Sequence, residues 1–293
     1  MTKETMAMAE RVSERTGGEY QIEVVTGQTL LKTPEYLDGV RSGAVEMMNA
    51  GFGIYSGADA RLATIETPFL LDDVQAAAYC SDTYPELIGP IFTEKFNQKV
   101  LSTYTNGGFE LISTKPITKL EDWQGLMLGA VNPPMAGLAQ VLGGSPIIVM
   151  WIDMYGNLEK GVIDATLLPT EAVLQARLTD VVSDATIFYG CSGFMGYTIN
   201  LDTWKAMEKK TQNILQEETI KTCNILNERS IKRHDEDIAQ LKTLGIDVHV
   251  LPEAERGRWV ERCQPLINEQ ISSVGDFGNE IMKMADEANA GVK

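Results

Sequence analysis

The chain contains 293 residues, 44% of them hydrophobic and 23% charged, a composition that can bury a large core and suits two domains better than one. Its formal net charge of −16 disfavours nucleic acid as a partner, because phosphate binding requires a basic surface. The sequence contains no apolar run of about 18 residues, so it predicts no membrane-spanning helix.

The first part of the chain alternates between helix and strand patterns. A helical pattern opens the chain and ends at Gly17-Gly18, and Tyr20–Val25 alternates in the way of a strand. Thr33-Pro34-Glu35 supplies an N-cap, a proline at the first helical position and an acid in the first turn, so it predicts a helix that runs to about Ser42. A short strand is predicted at 44–48. This alternation favours a mostly parallel sheet.

Beyond Val100 a second series of strand patterns follows. Residues 100–103 predict a strand that leads into the turn-rich segment Asn106-Gly107-Gly108, where we expect the chain to cross into a second lobe. From Thr203 to about Leu241 apolar residues recur at helical period, which predicts one long helix. Further strands are predicted at 123–130, 147–150, 165–168, 197–200 (where the chain should cross back) and 245–251.

The cysteines and histidines do not form a known reactive motif. Four cysteines show no paired spacing, and we predict four separate buried thiols, although a disulfide between Cys223 and Cys263 stays open in an oxidising compartment. His234 lies within the long charged helix, where we expect it on the solvent-facing side. The sequence contains no nucleotide-binding, zinc-protease or serine-hydrolase motif, so no cofactor and no metal are expected.

Two segments carry a family resemblance. One is Trp123-Gln124-Gly125-Leu126-Met127-Leu128-Gly129, and the other is Gly161-Val162-Ile163-Asp164-Ala165. Together with Thr67-Pro68-Phe69-Leu70-Leu71 and the segment from Gly39 to Met47, in this order and spacing, they resemble the extracytoplasmic solute-binding receptors of TRAP transporters. The resemblance extends over nearly the whole chain.

The resemblance implies an α/β, two-lobe fold of the periplasmic-binding-protein kind, with a ligand cleft between the lobes and a long helix crossing both. The first lobe would comprise residues 1–105 and 197–240, and the second would comprise 106–196 and 241–293. A further strand and a signal peptide would lie upstream of Met1, which places the protein in the periplasm. The implied partners are a small organic solute and the TRAP membrane permease subunits, and we expect a monomer that contacts the membrane only through the transporter.

The chain departs from the family at two positions where an arginine often stands. Those positions hold Glu110 and Gly129. A guanidinium fork recognises a carboxylate well, whereas a glycine cannot bind it and an acid repels it. The solute is therefore expected to be neutral or amine-bearing, with Glu110 as its hydrogen-bond acceptor. The other reading of Glu110 is a solvated loop acid or a partner of Lys115.

The remaining candidate contacts follow from the resemblance. Trp151 stands where the family places an aromatic side chain beside the ligand, and its face could stack on an apolar body or hold a cation. Glu171 follows a proline, as an acid often does in related receptors, and could either line the pocket or cap a helix. The other predicted ligand contacts are Phe109, Asn132, Thr166, Leu168 and Phe188.

Two alternatives stay open. A monocarboxylate could bind to the same receptor if Arg61 or Arg177 replaced the missing arginine. From another functional class, a small-molecule hydrolase or isomerase could use Glu110 and Asp153 as its acids.

Overall fold

The computed structural model describes residues 1–291. Its strands are β1 (Met47–Gly51), β2 (Gln98–Ser113), β3 (Met127–Ala130), β4 (Ser145–Ile148), β5 (Ala165–Pro169), β6 (Asp184–Ile187), β7 (Ser192–Asn200) and β8 (Asp247–Val250). Its α-helices are α1 (Thr2–Arg15), α2 (Tyr36–Ser42), α3 (Val74–Phe96), α4 (Pro133–Leu142), α5 (Met154–Glu159), α6 (Thr170–Gln175), α7 (Leu201–Ala206), α8 (Lys209–Thr243), α9 (Glu253–Ser273) and α10 (Asp276–Asn289). Short 3-10 helices cover Thr33–Glu35, Phe52–Tyr55, Ala60–Glu66, Leu120–Trp123, Trp151–Asp153 and Leu178–Asp180.

Unit 1 of the chain comprises Met1–Phe52, Ala78–Thr105 and Phe194–Arg229. Its strands follow the order β1-β7-β2, and β1 pairs antiparallel with β7. The inner sides of α1 and of the first part of α8 join the strands in one apolar cluster, whose buried members are Met8, Val12, Leu101, Tyr104, Tyr197, Ile199, Leu215, Cys223 and Leu226.

Unit 2 comprises Gly53–Ala77, Asn106–Gly193 and the chain from Ser230 onwards. Here β2 pairs antiparallel with both β5 and β6, whereas β3 pairs parallel with β4 and β5, and β6 pairs parallel with β8. One apolar cluster contains the edge-to-face pair Trp123 and Trp259, and a second is formed around Ile112, Met154 and Ile163. The expected mostly parallel sheet is therefore wrong for unit 1 and holds only in part for unit 2.

The two diagnostic segments of the sequence are joined directly in unit 2. The Asp164 carboxylate accepts a hydrogen bond from the Met127 backbone amide at 3.0 Å, and the Asp164 amide donates to the Met127 carbonyl at 2.7 Å. The aspartate of the second segment thus fixes the first residue of β3. A structural need for this carboxylate accounts for its place in the motif.

The division into units differs in part from the lobes expected from the sequence. Residues 53–77 and 230–240 belong to unit 2, whereas the sequence had placed them in the first lobe. The Asp72 amide donates to Asn289 of α10, and Arg233 of α8 lies 3.3 Å from the Glu171 carboxylate of α6, so both segments contact unit 2. The chain changes unit after Thr105, within β2, and again before Phe194, within β7.

Two local expectations are wrong. Residues 20–25 show the predicted alternation of exposure but form no strand, because side-chain alternation makes a strand only where another strand is present to accept its backbone hydrogen bonds. The segment Asn106-Gly107-Gly108 does not break β2, which continues through it with Gly107 at a φ of 101°. Glycine tolerates that positive φ without steric strain.

The four cysteines are buried and form no disulfide with one another, as predicted from their spacing. The disulfide between Cys223 and Cys263, which the spacing had left open, is not formed. Burial raises the pKa of each of these two thiols to about 12. Within residues 1–291, every helix is too short or too polar to span a bilayer.

A buried amide on α8 holds part of unit 1 together. The Asn227 Oδ1 accepts a hydrogen bond from the backbone amide of Thr105 at 2.9 Å, and its Nδ2 donates to Ser81 Oγ at 2.8 Å. We predict that Asn227→Ala lowers the free energy of unfolding by about 1–3 kcal/mol, because buried polar groups lose their partners. Urea denaturation measures the loss.

Asn224→Ala is the matched control for this prediction. Asn224 is exposed on the same helix, and its replacement by alanine raises the helix propensity by the same amount as Asn227→Ala does. Its stability should equal or slightly exceed that of the wild type. Equal stability of the two variants would show that the Asn227 contacts contribute nothing.

Candidate functional site

Glu110 is a fully buried acid on β2, with none of its surface exposed. Its Oε2 accepts hydrogen bonds from the backbone amides of Phe188 at 2.8 Å and Tyr189 at 3.5 Å. The reading of a solvated loop acid is therefore wrong. The reading of a Lys115 partner fails as well, because that lysine lies 3.8 Å from the carboxylate of Asp164.

His234 faces Glu110 and is also buried, with 6% of its surface exposed. The expectation that His234 lies on the solvent-facing side of α8 is wrong. His234, Asp237 and Leu241 follow one another at spacings of three and four residues, so they share one buried face of α8 despite the charged residues between them. The His234 ring centroid lies 5.6 Å from that of Tyr189.

The buried acid and imidazole each have one atom without a hydrogen bond. Glu110 Oε1 and His234 Nε2 lie 3.8 Å apart, which is too long for a hydrogen bond, and neither has another partner among the described residues. Burial raises the pKa of Glu110 to about 7, although the Phe188 and Tyr189 amides and the charge of Arg256 act to lower it. Burial also lowers the pKa of His234. Near neutral pH a partly protonated acid therefore lies beside a neutral imidazole.

Arg256 is a contributor that the sequence did not single out. From α9 its Nε donates to the Phe188 carbonyl and its Nη2 donates to the Tyr189 carbonyl, both at 3.1 Å. Its guanidinium also lies 5.5 Å from the centre of the Phe69 ring. Arg256 therefore fixes the short segment whose amides bind Glu110. One arginine in a charged helix gives no sequence signal for such a role.

A cavity of about 310 Å³ adjoins His234 within unit 2. Its polar lining consists of Asp72, Asp73, Gln75, Tyr189, His234 and Asp235. Val74 and Ile231 complete the wall, and the solute contacts predicted from the sequence are not part of it. In residues 1–291, no group of three His, Cys, Asp or Glu side chains is arranged to hold a metal ion.

Gly129 lies on β3 against apolar side chains. A Cβ placed there would lie 2.7 Å from Ile163 Cδ1, 3.0 Å from Met154 Sδ and 3.4 Å from Val149 Cγ2. The space next to the glycine is thus filled by the tips of core residues. At this position, where the family resemblance leads one to expect an arginine, the environment is apolar and would not hold a guanidinium.

Two of the predicted polar contacts are used within the protein. Asn132 caps α4, since its Oδ1 accepts from the Met135 amide at 3.1 Å, and its Nδ2 donates to Glu66 Oε2 at 2.9 Å. Thr166 Oγ1 donates to the Gly129 carbonyl at 2.9 Å. Both side chains are buried. Their role as solute contacts stays a prediction.

The predicted apolar contacts are core residues in this structure. Phe188 is fully buried, with its ring centroid 5.9 Å from that of Phe69 and 5.6 Å from that of Trp259. Phe109 belongs to the same cluster, and Leu168 belongs to the second cluster of unit 2. The structure brings Phe188 to Glu110 through its backbone amide rather than through its ring. Contact of these side chains with a solute stays a prediction.

Trp151 and Glu171 lie nearer the surface. Trp151 is 40% exposed in the 3-10 helix that follows β4, so its ring is available for contact. Glu171 lies in the first turn of α6, where its Oε1 accepts from Gln175 Nε2 at 2.7 Å and lies 3.3 Å from Arg233 Nη1. Its carboxylate is therefore engaged by an arginine. A role in solute binding stays a prediction for both residues.

The two arginines considered as replacements for the missing clamp have acidic neighbours. Arg61 binds Asp59 through Nε at 2.9 Å and Nη2 at 2.7 Å, which is a two-pronged contact. Arg177 is mostly exposed, and its Nε lies 3.5 Å from Asp180. A solute carboxylate at Arg61 would have to compete with an aspartate that is already bound.

The buried Glu110 carboxyl gives a pH-dependent stability prediction. Because its pKa is raised from 4.5 to about 7, the folded protein holds this proton more tightly than the unfolded chain. The stability from this group is fully present below pH 4.5 and is lost as the pH rises to about 7. Glu110→Gln should therefore gain about 3 kcal/mol over the wild type between those limits, measured by urea unfolding at a series of pH values.

Glu280→Gln, which removes an exposed acid from α10, is the control for this measurement. Its unfolding free energy should follow that of the wild type at every pH. A constant difference between Glu110→Gln and the wild type from acid to neutral pH would contradict the raised pKa.

The environment of Gly129 gives a second prediction. Gly129→Ala should cost about 1–2 kcal/mol, because the tips of Ile163 and Met154 must shift. Gly129→Arg should cost more than about 3 kcal/mol, because a guanidinium would enter an apolar cluster without a partner. Thermal unfolding of both variants tests this. An arginine variant as stable as the alanine variant would show that the site still accepts the side chain.

Comparisons with known proteins agree on one family. The family described as bacterial extracellular solute-binding protein, family 7 (DctP) matches residues 1–273. The C4-dicarboxylate-binding periplasmic protein DctP of Rhodobacter capsulatus is 23% identical over 280 residues, which cover 92% of this chain and 82% of that protein.

Solved structures show the same fold at low sequence identity. DctP6 of Bordetella pertussis, an extracytoplasmic solute receptor binding pyroglutamic acid, matches with a TM-score of 0.92 at 15% identity, covering 97% of this chain and 94% of that one. A TRAP periplasmic solute-binding protein of Roseobacter denitrificans with bound β-D-glucuronate matches with a TM-score of 0.88 at 20% identity, again covering 97% and 94%.

The predicted α/β receptor fold and the non-enzymatic class are confirmed by these relatives. The hydrolase or isomerase alternative is set aside, because the relatives are solute-binding proteins. The chain belongs to bacterial extracellular solute-binding protein family 7, whose members are the periplasmic receptors of TRAP transporters.

Proposed function

We propose that this protein is the receptor for a neutral or amine-bearing organic solute, which it delivers as a monomer to TRAP membrane permease subunits. The observation that carries the solute class is the Glu110 carboxyl. It is fully buried, and its Oε1 has no hydrogen-bond partner among the described residues. A buried acceptor without a donor costs about 1–3 kcal/mol, and a solute with an N–H or O–H group would remove that cost.

The surroundings of Glu110 also disfavour an anion. A solute carboxylate beside it would either meet a like charge or require the acid to keep its proton. Gly129 offers no guanidinium, and Arg61 already binds Asp59 through two nitrogens. Arg256 is a further cation of unit 2, but its guanidinium already donates hydrogen bonds to the carbonyls of Phe188 and Tyr189.

The relatives support a second candidate within the same receptor class. The compounds given in their names or bound in their structures are acids, namely C4-dicarboxylate, glucuronate and pyroglutamic acid. A monocarboxylate could bind this chain if Glu110 stayed protonated and donated a hydrogen bond. The raised pKa of Glu110 makes that state accessible near neutral pH. The two candidates predict opposite proton movements.

Calorimetric titration at about pH 7 in buffers of different ionisation enthalpy measures that movement. Because the pKa of Glu110 is about 7, the free receptor carries this proton in about half of the molecules. An amine that binds the charged acid should release up to about half a proton per solute. A carboxylate should instead cause uptake of up to about half a proton at Glu110, and protonation of the neutral His234 would add to uptake in the same direction.

Matched panels of amines, alcohols and carboxylates of equal size supply the solutes, after a thermal-shift screen for compounds that stabilise the folded protein. Glu110→Gln should abolish proton release and weaken amine binding, while Glu280→Gln should leave both unchanged. Tight binding of succinate with proton uptake would overturn the proposed solute class but leave the receptor role intact. Chemical turnover of the stabilising compound would overturn the receptor role.

A further inference from the structure

The motif Thr67–Leu71 contributes to the family resemblance, and its phenylalanine lies against the short segment that precedes β7. The Phe69 amide donates a hydrogen bond to the Gly190 carbonyl at 2.6 Å. The Phe69 ring packs edge-to-face on that of Phe188, with centroids 5.9 Å apart, and the Arg256 guanidinium lies 5.5 Å from its centre. Phe69 therefore contacts this segment through both its backbone and its side chain.

Every carbonyl group of residues 188–191 accepts a hydrogen bond from another part of unit 2. Arg256 donates to the first two at 3.1 Å each, the Phe69 amide donates to the third, and the Phe109 amide donates to the fourth at 2.9 Å. The amides of the first two residues donate to Glu110 Oε2. Because buried backbone groups need partners, these outside donors determine how the segment lies.

Two residues next to Gly190 have backbone conformations that side chains rarely adopt. Phe69 has a φ of 58° and Tyr189 has a φ of 49°, both in the left-handed region. Such conformations are unfavourable for residues other than glycine and persist only where surrounding contacts hold them. A left-handed residue can direct successive backbone amides toward one point, which is a geometry that binds anions. The conformation of Tyr189 accounts for the two amides that meet at Glu110 Oε2.

Gly190 shows how closely the Phe69 ring fits. A Cβ at this glycine would overlap the ring of Phe188 and would lie 2.7 Å from Phe69 Cε1. The motif is also anchored from α10, since the Leu70 carbonyl accepts a hydrogen bond from Asn289 Nδ2 at 3.0 Å. Phe69 is therefore held in place independently of the segment that it contacts.

We propose that Phe69 is a positioning residue for the solute site, because its amide and ring hold Tyr189 in the left-handed conformation that directs two backbone amides at Glu110 Oε2. This inference deepens the proposed function and rests on it at one point, namely that Glu110 is the group that meets the solute. Hydrogen bonds to a carboxylate stabilise its charged form, so the placement of the amides sets how readily Glu110 carries a charge. Phe69 acts through Glu110 and need not touch the solute.

Other titratable and charged groups face Glu110 from the elements packed around it. On α8, His234 Nε2 lies 3.8 Å from Glu110 Oε1, and on α9 the charge of Arg256 acts to lower the pKa of the acid. Burial raises the pKa of the Tyr189 phenol and of the Cys191 thiol, and the charge of Glu110 raises both further. These two groups therefore stay neutral while Glu110 titrates.

Phe69→Ala tests the proposal in the ligand-free protein, through carboxyl carbon NMR of Glu110 after labelling of glutamate. Burial raises the pKa of Glu110 to about 7, against the effect of the two amides and of Arg256. Without the ring these donors should move away, and the midpoint should rise by about half to one pH unit. Phe69→Tyr keeps the ring and should restore the wild-type midpoint. Leu138→Ala, in the adjoining apolar cluster, is the control for lost packing and should titrate like the wild type.

Further variants act on the segment itself. Gly190→Ala displaces the rings of Phe69 and Phe188 and should raise the midpoint in the same direction, which keeps the test available if Phe69→Ala does not fold. Tyr189→Val and Tyr189→Gly both remove the phenol, but only valine disfavours the left-handed conformation. The midpoint of Glu110 should therefore be higher in Tyr189→Val than in Tyr189→Gly.

Three results would overturn the proposal. These are a Phe69→Ala variant that titrates like Leu138→Ala, a Phe69→Tyr variant that shifts as far as Phe69→Ala, and equal midpoints in the two Tyr189 variants. Each comparison is a difference between variants measured without a solute, whereas the solute class is read from calorimetric proton movement. A wrong solute class would leave the role of Phe69 standing, and a failed role of Phe69 would leave the measured solute class standing.

Discussion

The arrangement around Glu110 depends on one constraint, the burial of its carboxyl group in the interior of unit 2. One oxygen of Glu110 accepts hydrogen bonds from the backbone amides of Phe188 and Tyr189, and Arg256 holds that segment through its carbonyl groups. The other oxygen lies 3.8 Å from the buried imidazole of His234. This gives a half-satisfied acid whose pKa is raised by burial to about 7. Such partial satisfaction is costly in an interior of low polarity, and this cost is the basis for the proposal that a solute donor binds Glu110.

Some of this could be read from the sequence because the signals are local. The segments at 123–130 and 161–165 identify the family, and the structure shows why they occur together, since Asp164 holds the start of β3 by two hydrogen bonds with Met127. The substitution at Glu110 was also visible, as was the absence of an arginine at Gly129. The predicted ends of α2 at Ser42 and of α8 near Leu241 lie within about two residues of the structure. The predicted starts are less accurate, because Thr33–Glu35 forms a 3-10 helix before α2, and the single helix expected from Thr203 is divided into α7 (Leu201–Ala206) and α8, which begins at Lys209.

Other features depend on contacts between residues far apart in the chain. His234 lies in a run of charges, and only the packing of α8 shows that its face is buried with Asp237 and Leu241. The sequence could not show that Arg256 binds the carbonyls of Phe188 and Tyr189, or that Ile163 and Met154 fill the space beside Gly129. Alternation at Tyr20–Val25 predicted a strand without knowledge of a pairing partner, and the glycines at 107 and 108 suggested a break that β2 does not contain.

The central claim is that Glu110 is a buried acid whose Oε1 has no hydrogen-bond partner among the described residues, and its own titration tests this most directly. Carboxyl carbon NMR of the ligand-free protein labelled at glutamate, with Glu110→Gln to assign the resonance, reports the protonation of this group alone. The structure predicts a midpoint of about 7. A midpoint at the ordinary glutamate value of 4.5 would show a carboxylate that is charged and stabilised at neutral pH, which would contradict the account of the site.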